Sequence, residues 1–192
     1  MPSKPAKTAS TMTAPKPAAG KPAATAKTLT LGKTSATVTP AADGTTSLRL
    51  VRVIKAPAQR IYDCFLDADA YAQWLPPNGF VAHVDKMEPK VGGKFRMSFS
   101  TISKSWTQAF GGTYKELVPG KRIVHTDRFE TKDASQQGEM TVTIDLKPVA
   151  GGTEVTIVQS GIPKGPSADG APYGWSQSLD NLARMCEPEL PF

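Results

Sequence analysis

Residues 47–55 read SLRLVRVIK, with Leu48, Leu50, Val51, Val53 and Ile54 set among Arg49, Arg52 and Lys55. Such alternation predicts a strand with one buried face. Over 58–66, Ile61, Phe65 and Leu66 recur at helical spacing with Tyr62 and Cys64 beside them, which predicts an amphipathic helix. Pro57 suits a position at or just before its first turn. Asp67 can cap a second short helix over 68–75, which Pro76-Pro77-Asn78-Gly79 stops. From Phe80 the period changes to two. Strands are predicted over 81–87, 93–100, 106–117, 122–129, 139–147 and 153–159. The links between them are short and rich in turn formers, as antiparallel hairpins require. A loose Gly/Pro segment follows over 161–170. A long helix is then predicted over 173–186, with Trp175, Leu179, Leu182, Ala183 and Cys186 on one stripe.

The order is strand, two short helices, six strands, long helix. That is an α+β fold with an antiparallel sheet. A sheet of this size twists and curls, and one helix cannot tile its concave face completely. A void between sheet and helix follows, either filled by side chains or left open.

Composition divides the chain in two. Residues 1–46 hold six lysines, one acid (Asp43) and no aromatic residue. A loose repeat runs through them: Lys4-Pro5-Ala6-Lys7, Lys16-Pro17-Ala18-Ala19 and Lys21-Pro22-Ala23-Ala24. A segment with so little to bury is expected to be a disordered tail, with the folded domain over 47–192. The tail reads as a solubilising linker, a weak contact for nucleic acid or anionic membrane, or a cleaved transit segment. Residues 47–192 hold 17 basic and 16 acidic side chains, so the pI near 9.3 belongs to the tail. No specific nucleic-acid partner is expected of the domain. No run of about 18 apolar residues spans a membrane. Cys64 and Cys186 fit no metal spacing and are expected as reduced, buried thiols of a cytoplasmic protein.

The segments VIKAPAQRIYDCFLDADAYAQWLPPNGF, PKVGGKFRMSF, FGGTYKELVPGKRIVHT, TVTIDLKPVAGGTEVTIVQSGIP and GWSQSLDNLARM occur in that order. The series resembles the SRPBCC, or START/birch-allergen-like, superfamily over about residues 47–187. Within it the chain is most similar to the bacterial branch related to the activator of the ninety-kilodalton heat-shock chaperone's ATPase. The resemblance implies a helix-grip fold: a seven-stranded antiparallel sheet wrapped on a long C-terminal helix around a deep apolar cavity. It implies no universal catalytic residue and no cofactor.

Strand parity selects candidate lining residues. Phe95, Met97 and Phe99 share one face, and Trp106, Gln108, Phe110, Gly112 and Tyr114 share another. If both rows face the long helix, they line a cavity with Trp175 and Leu179. Their aromatic rings with polar edges suit an amphipathic ligand. Gly112 removes a side chain where a ligand or helix could approach. Trp74 is expected as core beside the cavity mouth, with Phe80 at its edge. His125 and Asp127 lie two apart on one strand and so share a face, where they could do acid–base work or simply form part of a wall. No third residue completes a triad. Asp63, Asp67 and Asp69 read as caps and a solvated face, and two histidines leave little for a metal site.

The expected function is binding of an apolar or amphipathic small molecule. Two alternatives stay open. One is a chaperone-activator-like module with a protein partner. The other is a cyclase or dehydratase using Tyr114, Gln108 or His125. Oligomeric state does not follow from the sequence.

Overall fold

The computed structural model describes residues 25–187. In chain order it has strands β1 (Lys27–Leu31), β2 (Thr34–Pro40) and β3 (Thr46–Ile54), then helices α1 (Ala58–Leu66) and α2 (Ala68–Trp74). Strands β4 (Phe80–Met87), β5 (Lys94–Thr101), β6 (Thr107–Val118), β7 (Arg122–Phe129), β8 (Met140–Val149) and β9 (Gly152–Ile162) follow, and helix α3 (Pro166–Cys186) closes the fold. One antiparallel sheet runs β1-β2-β3-β9-β8-β7-β6-β5-β4. The α+β helix-grip class read from the sequence is the class observed.

The sheet has nine strands rather than seven. The two additional strands lie inside the segment assigned to the tail, so the folded unit already includes Lys27. Averaged over 46 residues, the composition hides a local pattern. Leu29, Leu31, Ala36 and Val38 recur at period two among threonines. Gly32, at φ +59°, supplies the left-handed turn of this hairpin. β2 pairs with β3 from Ser35↔Val51 to Pro40↔Thr46, which extends the sheet beyond β3. Thr34 and Ala36 become fully buried. The lysine–proline–alanine repeat over residues 1–24 lies outside the described residues.

β3 follows period two, yet its inward row is Leu48, Leu50, Arg52 and Ile54, while Val53 points outward. Arg52 is tolerated inside because its guanidinium pairs with Asp180 of α3 and reaches Thr34 Oγ1 at 3.5 Å. A charge out of water needs such partners.

α1 and α2 form the corner where the chain enters β4. Asp67 ends α1 and caps α2, accepting the Ala70 N–H at 2.8 Å. Trp74 is fully buried against Phe65 and Tyr71, with ring centroids 4.7 and 5.2 Å away, and its indole N–H donates to the Cys64 carbonyl at 2.8 Å. α3 clamps the residues that follow. Asn181 donates to the Trp74 and Pro76 carbonyls at 3.3 and 3.1 Å, and Gln177 accepts the Asn78 N–H at 2.9 Å.

α3 is longer than the expected 173–186. It starts at Pro166, because Gly165 at φ +105° turns the chain and proline tolerates the first helical position. Pro172 lies within the helix at the cost of one backbone donor.

Gly112 answers a different need from the expected one. A Cβ there would stand 1.8 Å from the Thr126 carbonyl oxygen, so it is β7 that approaches, not a ligand or helix. β6 and β7 are irregular beside it, with a register shift between Tyr114 and Glu116.

Candidate functional site

A cavity of about 200 Å³ lies between the curled sheet and the N-terminal half of α3. Its walls come from α2 and the turn after it (Tyr71, Leu75, Pro77), from β6 and β7 (Gln108, Phe110, His125, Asp127, Phe129) and from α3 (Ala171, Gly174, Trp175, Ser178). Phe99 of β5, Trp106 before β6, Met140 of β8, and Gln159 and Ile162 of β9 complete it.

The void exists because of what α3 presents. Its C-terminal half buries Leu179, Leu182, Ala183 and Cys186 in the core. Ala171 and Gly174 of its N-terminal half, and Ser178 just past its midpoint, come to the cavity at spacings of three and four, so they lie on one face. Small side chains there leave space that bulky residues would fill. A Cβ added at Gly174 would meet nothing within 4 Å.

Aromatic rings form most of the apolar surface. Phe110 sits edge-on to Phe99 at 4.9 Å and to Phe129 at 6.3 Å. Trp106 is 48% exposed while lining the cavity, which puts it at the rim. Phe80 packs edge-on against it at 5.5 Å.

Of the twelve lining residues expected from the sequence, the structure brings Phe99, Trp106, Gln108, Phe110, His125 and Trp175 to the cavity. The other six sit elsewhere. Phe95, Met97, Tyr114 and Leu179 share the inward parity but are buried in the core, with Phe95 packed on Tyr114 and His125 at 5.6 and 5.0 Å. Parity selects a face; it does not say where along that face the void lies. Trp74 and Phe80 border a separate surface depression at the Pro76–Gly79 turn, and Phe80 packs on Trp106 of the cavity rim. Sequence reading missed Met140, Gln159 and Ile162, although Met140 and Gln159 mark the inward faces of β8 and β9. It also missed the small residues of α3, whose signal is the glycine and alanine content of its first turns.

The polar groups in the wall are few and mostly engaged. Trp175 Nε1 donates to Gln159 Oε1 at 2.8 Å, and Gln159 Nε2 lies 3.2 Å from the Met140 sulfur. Gln108 Nε2 donates to the Ala109 and Glu130 carbonyls at 2.7 and 3.1 Å. Ser178 Oγ donates to the Leu75 and Gly174 carbonyls. His125 Nδ1 lies 3.0 Å from the Thr126 carbonyl oxygen. A carbonyl only accepts, so Nδ1 carries the proton and Nε2 is an acceptor. Burial pushes the imidazole down to about 4, so it is neutral near pH 7.

Asp127 shares His125's face, as strand parity requires. Burial pushes its carboxyl up to about 7, although the Arg128 backbone N–H pulls it down. Its Oδ1 is buried without a hydrogen-bond partner. The phenol of Tyr71 is pushed well above its ordinary value, first by burial and then by Tyr114 and Asp127 nearby. Among the described residues no cluster of His, Cys, Asp and Glu has the geometry to hold a metal. No described helix is long and apolar enough to cross a membrane.

Comparison with known proteins places this geometry in a family. Residues 55–187 match the model of the "Activator of Hsp90 ATPase homolog 1-like protein" family. A Dictyostelium discoideum protein named "Activator of 90 kDa heat shock protein ATPase homolog" is 30% identical over 128 residues, 65% of this chain. The matched part spans only 29% of that relative's length. The crystal structure of protein CV1439 from Chromobacterium violaceum superposes with a TM-score of 0.71 at 46% identity, covering 74% of this chain and 98% of that one. Protein Ms6760 from Mycobacterium smegmatis shares the fold, with a TM-score of 0.66 at 17% identity over 80% of this chain and 98% of that one. The chain belongs to the Activator of Hsp90 ATPase homolog 1-like family, within the helix-grip fold.

Proposed function

We propose that this protein binds an apolar or amphipathic small molecule in the cavity between the sheet and α3. The observation that carries this reading is the wall itself: rings of Phe99, Phe110, Phe129, Trp106 and Trp175 around a space of about 200 Å³, with a few fixed polar groups. A void lined by apolar surface forfeits packing, which a ligand restores. Its size suits a single-ring or short-chain molecule. The reading places the protein in the cytoplasm, where Cys64 and Cys186, with sulfurs 3.5 Å apart, stay reduced. Native mass spectrometry of protein purified from its own source tests it. A co-purified small molecule, released on denaturation, is the expected result. Only the bare protein mass, together with no uptake of small aromatic compounds, would remove the reading.

A protein-interaction role is the second reading, supported by the name of the Dictyostelium relative. On this chain it has the exposed Ile102 and Trp106 of the β5–β6 hairpin as a contact surface. Replacing both with Ser and finding unchanged retention of a ninety-kilodalton chaperone would argue against it. For the enzymatic alternative, Tyr114 is core, the Gln108 amide is engaged by two carbonyls, and His125 stays as an acceptor.

A further inference from the structure

Most donors of the cavity wall are engaged, whereas two of its acceptors, both on β7, are not. The Gln108 and Gln159 amides, the Ser178 hydroxyl and the Trp175 indole all donate within the protein. His125 Nε2 and Asp127 Oδ1 remain as acceptors on one face of β7, and Oδ1 has no hydrogen-bond partner. A buried oxygen left this way has lost its water without a replacement partner, which a ligand's donor would restore.

The surroundings offer Asp127 no counter-charge. The titratable groups facing it are His125 on its own strand and Tyr71 from α2, whose hydroxyl does not bond Oδ1. β6 presents Gln108 and Phe110, β8 Met140, β9 Gln159, and α3 Trp175 and Ser178, none of which titrates. No Lys or Arg lines the cavity among the described residues. Neutral His125 can only accept at Nε2, so it offers the carboxyl no proton from that atom.

We propose that Asp127 and His125 form the polar end of the cavity and select ligands with an apolar aromatic body and one protonated amine. The proposal rests on the small-molecule-binding reading above and adds the head group. An ammonium supplies several donors to the two acceptors and neutralises the carboxylate as well, whereas a hydroxyl supplies one donor and no charge. The rings of Phe99, Phe110 and Trp175 accept both the aromatic body and the cation beside it.

The test compares three probes of one shape on the full-length chain by calorimetric titration: phenethylamine, phenethyl alcohol and ethylbenzene. At about pH 8 Asp127 is ionised and the amine still protonated. The amine should bind at least about tenfold more tightly than the alcohol or hydrocarbon. Lowering the pH to about 5 protonates Asp127 and should abolish that advantage. Asp127→Asn should likewise abolish the amine's advantage over the alcohol and the hydrocarbon at about pH 8. An amine bound no more tightly than the alcohol at about pH 8, or an advantage that survives Asp127→Asn, would overturn the proposal while leaving the cavity reading intact. If none of the three probes saturates a site, the cavity reading fails, and this one with it. The comparison on the unsubstituted protein stands even if the variant does not fold.

Discussion

The indole N–H of Trp175 on α3 donates to Gln159 Oε1 on β9 at 2.8 Å, and that amide in turn reaches the Met140 sulfur at 3.2 Å. The long helix is thus tied to the floor of the cavity by one donor at the wall. Trp175→Phe keeps an aromatic ring in the wall but leaves Gln159 Oε1 unpaired beside apolar neighbours. We expect a loss of about 1–2 kcal/mol in urea unfolding. Trp175→Phe combined with Gln159→Leu should recover most of that loss, because both polar partners are then gone. A double variant no better than the single one would mean that the indole contributes by packing alone.

His125 and Asp127 shift in opposite directions, which gives a pH signature. His125 has its folded value lowered to about 4, so its stabilising contribution is present above its ordinary value and is lost as pH falls from about 6.5 to 4. Asp127 has its folded value raised to about 7, so its contribution is present below its ordinary value and is lost as pH rises from about 4 to 7. The two slopes oppose one another between about pH 4 and 6.5, and the unsubstituted protein should show a nearly flat profile there. In Asp127→Asn the histidine slope is no longer opposed by Asp127, and stability should rise with pH across this window. In His125→Gln it should fall. Chemical unfolding at half-unit pH steps reads both slopes, and parallel profiles for the two variants would contradict the assignment.

The β1–β2 hairpin covers the outer edge of β3. Without it β3 exposes its backbone along Leu48 to Val51, and Arg52 loses the Thr34 hydroxyl. Removing residues 1–40 should lower the melting temperature by at least about 5 °C relative to removing residues 1–24 alone, and should promote self-association through the bared strand. Thermal scans with sizing by light scattering check both. Equal melting temperatures would mean that the hairpin adds nothing to the fold.

Most of the fold is legible in the sequence, because strands β3 to β9 and helices α1 and α2 each announce themselves by period and by turn residues. β7 and α1 lie where the pattern puts them, at Arg122–Phe129 and Ala58–Leu66. The hairpin at Lys27–Pro40 was obscured because lysine-, proline- and alanine-rich neighbours dominate the average around it. Arg52 shows a second limit: parity places it inside, but only the distant Asp180 explains why a charge can stay there. The cavity is legible as a face and not as a place. Phe95, Met97 and Tyr114 point the same way as Phe99 and Phe110 but lie deeper in the packed part. What locates the void is the row Ala171, Gly174 and Ser178 on α3. A pattern search for large apolar residues passes over such a row.

Gly174 therefore gives the most direct test that the cavity takes a ligand. Its Cβ position is open and its backbone is helical, so Gly174→Leu fills the space without backbone strain and gains about 1 kcal/mol of helix propensity. The decisive measurement is calorimetric titration of phenethyl alcohol into Gly174→Leu and into the unsubstituted protein, with melting temperatures recorded alongside. Binding should be saturable in the unsubstituted protein and at least about tenfold weaker in the variant, whose melting temperature should be equal or higher. Equal affinity in a folded Gly174→Leu would contradict binding between the sheet and α3.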